Sequence, residues 1–567
     1  ITTIHDTINT TSTSVKEHID TLQEYKDYLW SNKDIDPHEI RSMRESILNH
    51  FAIGENVIDK RRRLSKILDI PYFGRIDFQE KKDKSQVSPI YIGIHTFYDF
   101  KQKRNLIYDW RAPISSMFYD HELGEATYSS PAGEINGTIL LKRQYRIRKG
   151  NMEYMIESSV TVHDDILQKE LCSNADNKMR NIVTTIKREQ NRIIRNENAA
   201  VFIIQGVAGS GKTSIALHRI AYLLYAQKGQ ISSKDILIIS PNKVFADYIS
   251  NVLPELGEET VPETSMGQIL SDVIDNKYKH QNFFEQVTEL LENPTPDFIE
   301  RIQYKASFEF ISQLDKFILY MENNYFKATD VKLTKTMTDY ILEMMQLQYN
   351  LTVSTPEKNQ LKKEIKKMFA GNNDLQIYKD FFEWIGKPEI FKTRKNRILE
   401  YADLAPLAYL HIALNGNNAQ SYVKHLLIDE MQDYSPIQYK VIQKLYPCRK
   451  TILGDTSQSV NPYGSSTADM IQKAFATGEI MKLCKSYRST FEITSFTQKI
   501  QPNNELEPIM RHGEHPKILP FKNTEEEIQG IADLVNSFRN SHYTSLGIIC
   551  KTESQAKKLV QKLQIYA

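Results

Sequence analysis

The stretch with the plainest chemical content is Gly206-Val207-Ala208-Gly209-Ser210-Gly211-Lys212-Thr213. Its spacing is that of a phosphate-binding loop, G-x-x-x-x-G-K-[ST], and it lies between an apolar run and a helix-patterned segment. Glycines let backbone N–H groups converge on phosphate oxygens with no Cβ in the way. Lys212 brings a charge for the β and γ oxygens, and the Thr213 hydroxyl is a ligand for Mg²⁺. The loop is therefore expected to bind and hydrolyse a nucleoside triphosphate, ATP foremost.

His425-Leu426-Leu427-Ile428-Asp429-Glu430 is an apolar run ending in adjacent carboxylates. Beside a phosphate loop, Asp429 suits a direct or water-mediated Mg²⁺ role, and Glu430 can orient and deprotonate an attacking water. Acidic pairs at strand ends are also common as plain structure; the phosphate loop gives this one its chemical meaning. Gln432 and Asp433 complete Asp-Glu-x-Gln-Asp. Gly454-Asp455-x-x-Gln458 follows another apolar run and sets Gln458 at a strand end beside the acidic pair. Tyr487-Arg488-Ser489 puts a base-stacking face next to a guanidinium that could reach a γ-phosphate across an interdomain cleft.

Buried parallel strands read as short apolar runs followed by polar turns, and Val201–Gln205, Ile236–Ser240, His425–Asp429 and Thr451–Gly454 have that texture. The expected fold class is α/β, built on a P-loop nucleotide-binding core. Its first α/β domain covers 164–270 and 401–485, its lead-in from Asp164 to Asn198 mostly helical. Between its parts, 271–400 is polar, Lys/Glu-rich and helix-patterned, an insertion. Residues 486–567 open a second α/β unit, incomplete as written, with Ser545–Cys550 a strand and Glu553–Gln564 a helix.

Upstream, 71–163 reads as a small antiparallel β module with strands near Ser88–Ile94, Asn105–Asp109, Glu125–Tyr128, Thr138–Ile147 and Glu153–Ser158. Residues 1–70 read as an antiparallel coiled-coil hairpin. Ile4, Ile8, Val15, Leu22, Tyr25 and Leu29 form one stripe; Ile40, Met43, Ile47, Phe51, Val57, Leu64 and Leu68 form the other. Pro37 opens the second helix. The turn carries Asp34, Asp36 and Glu39, either a partner-directed acidic tip or the solvated turn of a packed or dimerising helix pair.

The bulk composition narrows the classes. A length of 567 residues exceeds one hydrophobic core, so several domains are expected. A formal net charge of +1 does not imply nucleic acid; any basic groove must be local. Four scattered cysteines, Cys172, Cys448, Cys484 and Cys550, without a CxxC pair argue against a disulfide framework or zinc site and fit a cytoplasmic protein. No run of about 18 apolar residues suggests a membrane span.

The order of these motifs resembles the UvrD-like superfamily 1 helicases over about residues 186–567. The resemblance implies a P-loop NTPase with RecA-like motor domains, a first over 164–270 and 401–485 and an incomplete second over 486–567. By that resemblance Gln190 is the adenine-reading glutamine and Gln458 the γ-phosphate sensor. Tyr487 is the adenine-stacking residue and Arg488 an arginine finger. Pro71-Tyr72-Phe73-Gly74-Arg75-Ile76-Asp77-Phe78, Ile107-Tyr108-Asp109-Trp110-Arg111-Ala112-Pro113-Ile114-Ser115-Ser116, Ser240-Pro241-Asn242 and Val252–Glu258 resemble the HelD-like branch. Its ATPases bind bacterial RNA polymerase and recycle stalled complexes. There an N-terminal arm enters the secondary channel and an insertion reaches the main channel; 1–70 and about 271–400 are the matching segments. Asp34, Asp36 and Glu39 are then candidate partner-binding residues, and a monomer is expected outside the complex.

Two departures carry expectations. Ser214 stands where these helicases often place an arginine over the adenine, which implies looser base discrimination. Later Gly-x-Glu-Phe-Asp-type and Thr-Arg-Ala-type motifs, the latter carrying a second arginine finger, are missing from the sequence. A finger is worth on the order of 10³–10⁵ in rate, so the chain as written is expected to be a poor ATPase. Three functions remain: a polymerase-dissociating factor, a DNA-translocating helicase, with Phe245 its one obvious base-stacker, and a nucleotide-binding scaffold.

Overall fold

The computed structural model of the chain describes residues 2–563, apart from 32–35, 83–85, 158–185, 242–251, 325–342, most of 345–373, and a few isolated or paired positions beyond 416. Asp34, Cys172, Phe245, the Ser158 strand end, much of the 164–198 helical lead-in and part of the 271–400 insertion lie outside the described residues. The chain divides into two compact units. One comprises Ile1–Glu197, Leu217–Gln230 and Tyr248–Thr260; the other comprises Asn198–Ala216, Ile231–Asp247 and Val261–Ala567.

The first unit opens with helices α1 (Thr2–Ser31) and α2 (Pro37–Asp69). Pro37 starts α2, and Asp36 caps it by accepting the His38 N–H at 2.9 Å. The Tyr28 hydroxyl donates to Glu39 at 2.9 Å, His18 and His50 ring nitrogens lie 3.2 Å apart, and Ile4 shares a cluster with Leu64 and Ile67. Partners that descend α1 as they climb α2 make the pair antiparallel. Thr7, Thr10, Thr11, Ser12 and Thr13 of α1 turn their hydroxyls onto carbonyls four residues back, bonds that satisfy the hydroxyls without favouring the helix. At 1.5 Å per residue, a 30-residue helix is about 45 Å long.

The expected stripe on α2 needs correction. Ile40 and Phe51 are 44% and 56% exposed. At both places the preceding residue, Glu39 or His50, faces α1 instead. The other stripe residues of both helices are at least partly buried, and the fully buried part of the seam is at the base, where Ile4, Leu64 and Ile67 pack with Phe97 and Ile107 of the sheet.

That sheet has seven strands: β1 (Gly74–Glu80), β2 (Val87–Gly93), β3 (Phe97–Asp99), β4 (Arg104–Asp109), β5 (Gly124–Ser130), β6 (Gly133–Arg148) and β7 (Asn151–Glu157). Their order is β3-β4-β2-β1-β6-β5, with β7 also on β6. Its pairings are antiparallel except β2–β4, which run parallel, so the module is not purely antiparallel. The 16-residue β6 is long enough to pair with β1, β5 and β7. Strands β1 and β3 are additional to the sequence expectation.

Trp110 and Arg111 follow β4 into a buried junction. The Arg111 guanidinium bonds both Asp109 carboxylate oxygens at 2.8 Å and pairs with Glu258, while Arg195 donates to the carbonyls of Trp110 at 2.7 Å and Arg111 at 2.9 Å. Carboxylates and main-chain carbonyls thus surround charges that could not otherwise be buried, which gives this segment a structural role.

The second unit is built on a six-stranded parallel sheet, β8 (Val201–Gly206), β9 (Ile236–Ile239), β10 (Glu263–Thr264), β11 (His425–Ile428), β12 (Arg449–Gly454) and β13 (Gly478–Leu483). Its order is β10-β9-β11-β12-β8-β13. All four expected strands form, and β9 and β11 are buried along their whole length, as a parallel strand covered on both faces must be. Helices Phe308–Asn324, Asp374–Trp384 and Tyr401–Asn415 join the same core through Phe310, Phe381 and Leu404.

Beyond Leu483, the strand pairing among the described residues is that of Lys485–Ser486 with Glu507–Pro508. Ser545–Cys550, expected as a strand, is not one; it has no neighbouring ladder among the described residues, and Ile549 is 98% exposed. The helix expected after it forms, over Glu553–Leu563.

Candidate active site

Strands β11, β12 and β8 are neighbours, paired in parallel with Ile428 opposite Ile452 and Gly454 opposite Gln205. Their carboxyl ends therefore fall side by side. Those ends lead into Asp429-Glu430, Asp455 and the loop Gly206–Thr213 respectively, so three separate stretches of sequence reach one edge of the sheet. Ligand sites of open α/β sheets form at this edge.

The loop runs into helix α3 (Lys212–Ala226); Gly206 ends β8, and Gly209 and Gly211 have positive φ, +73° and +82°. Lys212 Nζ donates to the carbonyls of Gly206 at 2.8 Å and Val207 at 3.2 Å. Burial pushes the Lys212 pKa down, against the opposing fields of Asp455, Glu430 and Asp429. Thr213 follows in the first turn, and Ser214 is buried behind it. Asp429 is buried, and burial, then the adjacent Glu430, push its carboxyl up to about 7. Thr213 and Asp429 are the residues here that could hold a divalent cation.

Register also explains Tyr487 and Arg488. Strand β13 pairs with β8 so that Leu483 faces Gly206, and the Val207 N–H donates to the Leu483 carbonyl at 3.0 Å. A few residues on, the Tyr487 N–H donates to the Gly209 carbonyl at 2.9 Å. A Cβ on Gly209 would stand 2.6 Å from Arg488 Cβ and 3.0 Å from Ser486 Oγ. Arg488 thus starts its reach at the loop itself, within the second unit, rather than across a cleft.

Gln458 is exposed and donates to the Asp455 carboxylate. Gln190, in the helix Arg188–Arg195 of the first unit, is buried, and its side-chain oxygen accepts the Lys187 N–H at 3.1 Å. Asp36 and Glu39, both exposed, are occupied with the α2 cap and Tyr28. Asp433 is pushed up to about 6, chiefly by burial, and accepts the Val460 N–H at 3.2 Å. The sequence reading gave no role to Asp455 or Gln432, although both stand inside its motifs. A parallel sheet that places β11 beside β12 is what joins them.

A phosphate loop, a strand-end acidic pair and a second polar strand end on one parallel sheet define a P-loop nucleotide-hydrolase core. Known proteins agree. Residues 186–476 match the UvrD/REP helicase N-terminal domain, and residues 3–172 match the N-terminal domain of DNA helicase IV HelD. ATP-dependent DNA helicase Rep of Buchnera aphidicola subsp. Schizaphis graminum is 23% identical over 354 residues, 60% of this chain and 48% of the relative. ATP-dependent DNA helicase PcrA of Staphylococcus epidermidis is 23% identical over 405 residues, 67% of this chain and 50% of the relative. DNA helicase II of Haemophilus influenzae is 30% identical over 145 residues, 23% of this chain and 20% of the relative. The chain spans about half the length of Rep and PcrA. It belongs to the UvrD/REP family of superfamily 1 helicase ATPases, in the HelD branch.

Proposed function

We propose that this chain hydrolyses ATP at the Gly206–Thr213 loop and uses the cycle to dissociate or recycle stalled complexes of bacterial RNA polymerase. The observation that carries the first half is the convergence of Lys212, Asp429, Glu430, Asp455 and Arg488 on one sheet edge. In this reading the loop's N–H groups and Lys212 bind the phosphates. Glu430 orients the attacking water and takes its proton, Gln458 senses the γ-phosphate, and Arg488 offsets its developing charge. Tyr487 stacks on the adenine and Gln190 reads its edge. Thr213 and Asp429 would hold Mg²⁺, which, when bound, neutralises phosphate charge. Two protein ligands suffice, because Mg²⁺ keeps waters and takes phosphate oxygens for the rest.

The second half rests on the HelD N-terminal match and on the antiparallel helix pair. Residues 1–70 are the arm that enters the secondary channel, its acidic end being Asp34, Asp36 and Glu39, and 271–400 is the insertion directed to the main channel. A second motor domain includes 486–567. Anchoring through an arm predicts that Lys212→Ala in the full-length protein abolishes ATP turnover and leaves RNA polymerase binding within about twofold, measured by phosphate release and co-sedimentation. Turnover at the wild-type rate would overturn the site assignment, and lost binding would overturn the independent arm.

A second reading, a DNA-translocating helicase, is favoured by one feature. A cavity of about 360 Å³ is lined by Pro241, Met266, Phe283, Phe284, Tyr401 and Tyr434, among others. Aromatic faces of this kind suit unpaired bases.

A further inference from the structure

Gln432 is 2% exposed and lies between the two strand ends that carry the proposed chemistry. Its side-chain Nε2 donates to Glu430 Oε2 at 2.7 Å, and its Oε1 accepts the main-chain N–H of Asp455 at 3.0 Å. A carboxylate can only accept and a backbone N–H can only donate, so these partners fix which way the amide points. The main chain is held as well: the Gln432 carbonyl accepts the Ser466 N–H at 3.3 Å.

The surroundings are shaped for this bridge. Gly454 precedes Asp455, and a Cβ there would stand 2.3 Å from Gln432 Oε1 and 2.7 Å from the Met431 nitrogen, so any larger residue would block the approach. The Asp455 carboxylate accepts the Ser457 N–H at 3.0 Å and the Gln458 side-chain amide. Glu430 is a non-glycine residue in the left-handed region, φ 51°, and only partly buried. Without a partner its carboxylate would have several rotamers open to it.

We infer that Gln432 is a positioning residue: it holds Glu430 in the geometry needed to activate water, and it ties that geometry to the Asp455–Gln458 turn. The inference rests on the ATPase reading above and deepens it. Contact with the γ-phosphate is proposed for Gln458; a shift of that side chain would move Asp455, and Asp455 would move Gln432 through its main-chain N–H. Glu430 is thereby aligned when the triphosphate is in place.

The test uses full-length protein with Gln432→Ala and Gln432→Glu, read by steady-state ATP turnover and fluorescent-ATP binding. Gln432→Ala should lower kcat about tenfold to a hundredfold while nucleotide affinity stays within about threefold. Gln432→Glu keeps the shape of the side chain but presents Glu430 with an acceptor in place of the amide donor, so it should lose kcat at least as far, again at nearly unchanged affinity. A residue serving only stability would lower turnover and binding together. An active wild type with Gln432→Ala at the wild-type kcat, or with affinity falling in step with kcat, would overturn the inference alone. A wild type that binds ATP and never turns it over would overturn the ATPase reading, and the inference with it.

Discussion

Gly209 shows how little room the loop leaves. Its φ of +73° is unfavourable for any side chain, and a Cβ would press on Arg488 Cβ at 2.6 Å. Gly209→Ala is therefore expected to weaken ATP affinity at least about tenfold, through a strain on the order of 1–3 kcal/mol and a displaced Arg488. Equilibrium titration with a fluorescent ATP analogue checks this, and unchanged affinity would contradict the close approach. At this scale the contiguous groups were legible in sequence. Gly206–Thr213, Asp429-Glu430 and Gln458 each carry their spacing within a few residues. The Glu430–Gln432–Asp455 bridge was not, because its ends belong to different strands and meet only when β11 pairs with β12. Arg488 was legible as a residue type, but its place beside Gly209 depends on β13, whose Gly478–Leu483 run was not read as a strand.

Elements differ in how far local pattern determines them. The four buried strands of the parallel sheet were evident as apolar runs, and Pro37 and Asp36 marked the start of α2. The stripe on α2 misled at Ile40 and Phe51, because polar neighbours, Glu39 and His50, found partners on α1. Ser545–Cys550 has the composition of a strand, yet a strand exists only where another strand accepts its hydrogen bonds. In the link between β2 and β3, burial pushes the His95 imidazole down from 6.5 to about 4. The unfolded chain therefore takes up this proton at a pH where the folded one refuses it. Stability from His95 is present above about pH 6.5 and is lost as pH falls toward 4, with roughly 2 kcal/mol gone by pH 5. Urea unfolding of wild type and His95→Asn at pH 7 and pH 5 should show the smaller pH effect in the variant. Equal pH effects would contradict a buried neutral imidazole.

Taken whole, the chain joins two kinds of part. The second unit carries a sheet edge equipped for nucleotide chemistry, and the first carries an antiparallel helix pair anchored at its base by Ile4, Leu64, Ile67, Phe97 and Ile107. Among the described residues no helix is long and apolar enough to cross a membrane. A balanced net charge of +1 argues neither for nor against a nucleic-acid partner, because a basic groove would be local. The motor's family was legible from its motifs. Its division into units was less so, since residues of α3 from Leu217 onward group with the β module while Lys212–Ala216 group with the parallel sheet.

The most direct measurement incubates the full-length protein and ATP with stalled bacterial transcription complexes and, in parallel, with a tailed DNA duplex. Release of RNA polymerase from nucleic acid, dependent on ATP and on residues 1–70, with little strand separation, is the predicted result. Strand separation without binding to, or any effect on, the polymerase would contradict the account.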